Sequence, residues 1–115
     1  MRLLILGLLA AALVTPRAPR APEAGQGRQT FTGTIADSEC SNADHSLMRM
    51  GSTDADCTLA CVDAHGASFV LYDGKTAYAL RGQPPDKFAG KKVTIAGTLD
   101  AGGRTLNVES ISAAP

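Results

Sequence analysis

The chain has 115 residues, with 11 Lys+Arg against 11 Asp+Glu, three cysteines, two histidines and no tryptophan. That length holds one small domain and excludes a multi-domain enzyme with a separate cofactor-binding half. Zero formal charge without a basic block argues against nucleic acid gripped through its phosphates, and an aromatic content of 4% leaves no large stacking platform.

At the N-terminus, Arg2 precedes a 12-residue apolar run, Leu3 to Val14. The run is too short for a hydrocarbon core of ~30 Å, which takes about 20 apolar residues, and it reads as a secretory signal. Thr15 to Gln29 is rich in Pro, Ala, Gly and Arg and cannot extend a packed helix. We therefore expect residues 1–27 to be a signal peptide and linker. Residues 28–115 should form the domain, exported to the periplasm or beyond and without a stable membrane span once mature. A domain of that size is marginal by surface-to-volume scaling, so a disulfide or metal staple would help it.

In the mature chain, Gln29 to Ile35 alternates as a strand, with Phe31, Gly33 and Ile35 on one face and three threonines on the other. Ser41 to Ser52 is polar and aperiodic, hence a loop. Thr53 to Gly66 reads as a helix of about three turns, capped by Thr53 or Asp54 and stopped at Gly66. Ser68 to Tyr72 and Thr76 to Arg81 are strands, joined at Asp73-Gly74 by a hairpin expected to be type I′. Pro84 to Gly90 has room for one helical turn around Asp86-Lys87-Phe88. Lys92 to Leu99 and Thr105 to Ile111 complete five strands. Ile111 is out of phase with Leu106 and Val108, which points to a bulge or strand end near Ser110.

Five short strands fit a small closed β-barrel, because closure removes exposed edges. The words Phe88-Ala89-Gly90-Lys91-Lys92-Val93-Thr94-Ile95-Ala96-Gly97-Thr98-Leu99 and Leu106-Asn107-Val108-Glu109-Ser110-Ile111 resemble the last two strands of bacterial OB-like domains. Upstream, Phe31-Thr32-Gly33, Asp37-Ser38-Glu39-Cys40, His45, Cys57-Thr58-Leu59-Ala60-Cys61-Val62 and Gly66 resemble a family of small exported bacterial domains of unknown function. Ser41 stands where that family often has Gly. The resemblance covers about residues 30–112. It implies an OB-like fold and an exported location; the helix read over Thr53 to Gly66 places a Cys-containing helix between strands 1 and 2. It implies no activity.

Charge concentrates around the cysteines: residues 36–65 hold Asp37, Glu39, Asp44, Asp54, Asp56 and Asp63 against Arg49 alone, and include every cysteine and both histidines. The pattern is Cys40-x4-His45-x11-Cys57-x3-Cys61. On a helix, residues four apart share a face, so Cys57 and Cys61 can reach one ion. Leu59 and Val62 fall roughly 140–200° round from Cys57 at 100° per residue. If those two pack on the sheet, the thiols face away from it, toward the loop that carries Cys40 and His45.

Two readings of the cysteines stand side by side. In the first, Cys40, His45, Cys57 and Cys61 coordinate zinc or copper, with Met48 and Met50 adding thioether sulfur nearby. In the second, an oxidising compartment pairs Cys40 with Cys57 or Cys61. That disulfide closes a loop of about 17–21 residues, contributes about 3 kcal/mol, and leaves an OB-like module that binds a peptide, glycan or small ligand without metal. His65 at the helix C-terminus reads as a dipole contact, and Asp37 and Glu39 as solvated or loop-capping. A Cys–His nucleophile would need a third orienting group and a pocket, and nothing in the sequence singles one out. The expectation is a monomeric, non-catalytic binding domain.

Overall fold

The computed structural model describes residue 16 and residues 27–115; the expected signal segment lies outside the described residues. The elements are β1 (Gln29–Asp37), α1 (Asp54–His65), β2 (Phe69–Tyr72), β3 (Ala77–Gly82), a 3-10 turn (Asp86–Phe88), β4 (Lys92–Leu99) and β5 (Thr105–Ala113). Among the described residues no helix is long and apolar enough to cross a membrane.

The five strands form one mixed sheet in the order β1-β2-β3-β5-β4, and β4 pairs back onto β1 to close the ring. Four pairings are antiparallel, and β3 with β5 is parallel, bringing Leu80 opposite Leu106. Period-2 alternation explains what fills the ring. Ile35, Leu71, Val93, Ile95, Leu106 and Val108 make a contiguous buried cluster, flanked by half-buried Phe31, Tyr78, Leu80 and Phe88. Phe31 and Tyr78 meet edge-to-face with ring centroids 5.4 Å apart, a preferred aromatic geometry.

The phase break in β5 is a bulge. Ala96 faces Ser110 while Gly97 faces Val108, so Glu109 is the extra residue. The insertion returns Ile111 to the inward face opposite Ile95, and the strand continues to Ala113 instead of stopping. The β2–β3 connection departs from the expected type I′ turn. The four-residue turn Asp73–Thr76 replaces it, closed by Asp73 N–H to Thr76 O at 3.1 Å. The Asp73 carboxylate accepts the backbone N–H groups of Lys75 and Thr76 at 2.8 and 2.7 Å. Only Gly74 has positive φ there, whereas type I′ needs two such residues; the aspartate side chain supplies the closure instead.

Helix α1 spans the β1–β2 connection. Thr53 Oγ1 caps it by accepting Asp56 N–H at 3.1 Å, and Gly66, with φ 66, ends it in the left-handed conformation while donating to Cys61 O. Its N-terminus is seated by Gly90, just ahead of β4. Gly90 N–H donates to Ile35 O at 2.9 Å, and a Cβ on Gly90 would stand 2.7 Å from Ala55 N. The helix and strand β1 thus meet across a position that admits no side chain.

Candidate metal centre

The site is built where β1 ends. Asp37 is in phase with Phe31, Gly33 and Ile35, the inward set of that strand, and is fully buried. Its Oδ1 accepts the backbone N–H of Glu39 at 3.0 Å and of Cys40 at 2.9 Å, which turns the chain and fixes Cys40. The following loop is held by more short polar side chains: Asn42 Oδ1 accepts from Asp44 N, and Asp44 Oδ1 from Ser46 N. Between them His45 turns inward and is 3% exposed.

One ligand atom each from Asp37, Cys40 and His45 lies within 4.8 Å of the other two, and all three residues are buried. Within this group Asp37 Oδ2 and His45 Nδ1 have no hydrogen-bond partner among the described residues. A buried polar atom without a partner costs about 1–3 kcal/mol, and two of them beside a buried thiol form a donor set of oxygen, nitrogen and sulfur. These are candidate ligands for a metal ion.

A second group adjoins it. Ligand atoms of Glu39, Cys61 and His65 also lie within 4.8 Å of one another, with Cys61 buried and the other two exposed. His65 Nδ1 and Glu39 Oε2 are 2.8 Å apart. The sequence expectation of a mere dipole contact for His65 and a solvated Glu39 is therefore too weak: the two pair with each other beside Cys61. For Asp37 the loop-capping expectation holds through Oδ1, and burial of the whole carboxyl adds what that expectation missed. The signal was present in its even spacing from Ile35, which puts an acid on the buried face of a strand.

The four residues expected to hold one ion are distributed differently. Cys40 and His45 meet at Asp37. Cys61 joins Glu39 and His65. Cys57 is occupied by the loop, where its Sγ accepts Gly51 N–H at 3.2 Å and donates to Gly51 O at 3.4 Å. Met48 and Met50 are 40% and 36% exposed on that loop, and Leu47 is fully exposed.

Leu59 and Val62 do not form the buried face of the helix. The buried face of α1 carries Cys57, Thr58 and Cys61, while Leu59 and Val62 are only half-buried. The thiols thus lie on the covered side of the helix, and Cys57 meets the loop that carries His45, as expected, through Gly51. Packing through Leu59 and Val62 would need an aliphatic stripe, but two larger aliphatics in twelve residues are too few to orient the helix. The capped β1 turn and the Gly51–Cys57 contact orient it instead. The sulfurs stand outside the aliphatic cluster of the ring, among acids and loop backbone.

All three cysteines are free, so the expected pairing of Cys40 with Cys57 or Cys61 is not made. Burial, reinforced by Asp37, Glu39, Cys57 and Asp44, raises the pKa of Cys40. Burial, with the charges of Asp37 and Glu39 and the neighbouring Cys40, pushes Cys61 up to about 11. The Cys40 and Cys61 thiols are therefore protonated near neutral pH and are poor nucleophiles. The sulfurs sense one another: Cys57 acts on Cys40, and Cys40 on Cys61. Two surface hollows of about 460 and 410 Å³ lie elsewhere, at the Lys75–Arg104 turns and beside Phe88, and neither is lined by a cysteine or histidine.

Compared with protein-family models, with curated proteins and with solved structures, the chain matches none.

Proposed function

We propose that this chain is an exported, non-catalytic metal-binding domain of OB-like architecture, and that Asp37, Cys40 and His45 provide the principal ligands. The observation that carries the reading is that Asp37, Cys40 and His45, whose ligand atoms converge within 4.8 Å, include two residues with a buried atom, Asp37 Oδ2 and His45 Nδ1, that has no partner among the described residues. A bound cation would satisfy both orphans and draw the thiolate at once. A carboxylate, an imidazole and a thiolate suit zinc, which accepts all three donor types at about 2.0–2.3 Å. Cys57 lies within electrostatic reach of Cys40, and Cys40 of Cys61; sulfur this close to the inner group favours copper(I) as the second occupant, since soft sulfur selects it. The OB-like reading is supported by the strand order with its single parallel β3–β5 pairing. The export reading is supported by the apolar run before Thr15. Within an oxidising compartment a bound ion would also keep these thiols out of disulfides.

Zinc titration of the reduced, chelator-stripped chain tests this. Bound metal should stabilise the fold by about 2.7 kcal/mol when free zinc stands 100-fold above Kd, read as a rise in urea midpoint. Asp37→Asn combined with His45→Gln should abolish the shift. An unchanged midpoint in the unsubstituted chain with both zinc and copper(I) would overturn the proposal.

A further inference from the structure

We propose that Glu39, Cys61 and His65 form a second, solvent-facing site for a divalent soft or borderline ion, so that the domain has an outer capture site and an inner holding site. This rests on the metal-binding reading of the inner group, but on different residues. The three side chains come from separate stretches: Glu39 from the turn after β1, Cys61 from the covered face of α1, and His65 from its last turn. Their ligand atoms nonetheless converge within 4.8 Å.

Burial divides the roles. The Cys61 sulfur is at the floor, and the Glu39 and His65 side chains above it keep 33% and 38% exposure. An ion arriving from solvent therefore meets a carboxylate and an imidazole first. Carboxylate, thiol and imidazole already face one another, so capture needs no refolding: the thiol proton leaves to solvent, the ion takes its place, and the Glu39–His65 contact opens to admit it. Asp37 and Glu39 share one turn, in which Asp37 Oδ1 accepts the backbone N–H groups of both Glu39 and Cys40. The two groups are thus separated by one short turn of chain. Ligand exchange across that turn gives a route from exposed to buried coordination, whereas the inner triad alone has no exposed member.

The test is stoichiometry and site assignment in the full chain. Native mass spectrometry with zinc should show two ions, the second bound at least tenfold more weakly. Histidine ring resonances in NMR should shift in two stages, both His45 and His65 being affected by two equivalents. His65→Gln and Glu39→Gln should each leave one ion, with inner affinity changed less than threefold. A chain that holds one ion and moves only the His45 resonances overturns the outer site while leaving the Asp37–Cys40–His45 reading intact. Movement of His65 alone supports the outer site and overturns the inner one. The NMR readout uses the unsubstituted chain, so a variant that fails to fold does not affect it.

Discussion

The carboxylate of Asp37 is divided between two tasks: Oδ1 accepts the Cys40 backbone N–H at 2.9 Å, while Oδ2 is buried without a partner. One oxygen positions the thiol-bearing residue, and the other is free for a ligand. A fully buried acid that spends half of its hydrogen-bonding capacity is an expensive feature of a small domain, and coordination would offset that cost.

The two tasks should separate by substitution. Asp37→Asn keeps an oxygen for the Cys40 turn but loses the charge, so the apo fold should survive while zinc affinity falls at least about tenfold. Asp37→Ala loses the turn as well and should cost about 1–3 kcal/mol. Chelator competition and urea melts of both variants check this; wild-type zinc affinity in the Asn variant would contradict the ligand role of Oδ2.

His45 offers an opposite sign. Its buried Nδ1 has no partner, so replacement by Leu should leave apo stability unchanged or raise it by up to about 1–2 kcal/mol, while removing the stabilisation by zinc. Loss of apo stability beyond about 2 kcal/mol would show that the ring is needed for packing instead. Thr58→Val is a control at a residue outside both donor groups: Oγ1 is also buried and unpartnered among the described residues, and its removal should stabilise by about 1 kcal/mol without altering metal affinity.

Cys61 predicts an alkaline limit. Its folded pKa is raised from 9.0 to about 11, chiefly by burial and then by Asp37 and Glu39. The raised value means that the folded chain binds the thiol proton more tightly than the unfolded chain does. Stability from this group is therefore complete below pH 9 and is lost as pH rises toward 11. Urea midpoints of the metal-free reduced chain should fall across that window, and Cys61→Ala should flatten the fall. Alkylation of Cys61 in the native chain should be slow at pH 8 and accelerate toward pH 11. Rapid labelling at pH 8 would contradict the burial assigned to this thiol.

At the acid end the turn aspartates act in the other direction. Backbone N–H groups of Thr76 and Lys75 lower the pKa of Asp73, and those of Thr105 and Arg104 lower that of Asp100. Their contribution is present above pH 3.8 and is lost as pH falls through the lower folded values. Asp73→Ala and Asp100→Ala should destabilise the chain at pH 6 more than at pH 2, as read from urea melts at the two values.

Gly90 should be sensitive to the smallest change. Its φ is 73, and an added Cβ would meet Ala55 N at 2.7 Å. Gly90→Ala should cost about 1–3 kcal/mol through backbone strain, with further loss from the displaced helix, and should weaken metal binding because Cys61 moves with α1. Near-wild-type stability and affinity would show that the helix shifts without consequence.

Strand and helix positions were legible in the sequence because each depends on neighbours along the chain. Alternation placed all five strands, Thr53 and Gly66 bounded the helix, and the phase of Ile111 located the bulge within one residue of Glu109. The cluster of acids, thiols and imidazoles in residues 36–65 also showed where a site would form. The partition of its members was not legible. Which face of α1 is covered depends on Gly51 meeting Cys57 and on Gly90 admitting the helix N-terminus, contacts between segments that local periodicity does not encode. Only the closed sheet decides that Asp37 is buried with Cys40 and His45 while Glu39 remains at the surface with His65, because burial belongs to the packed assembly and not to the residue type.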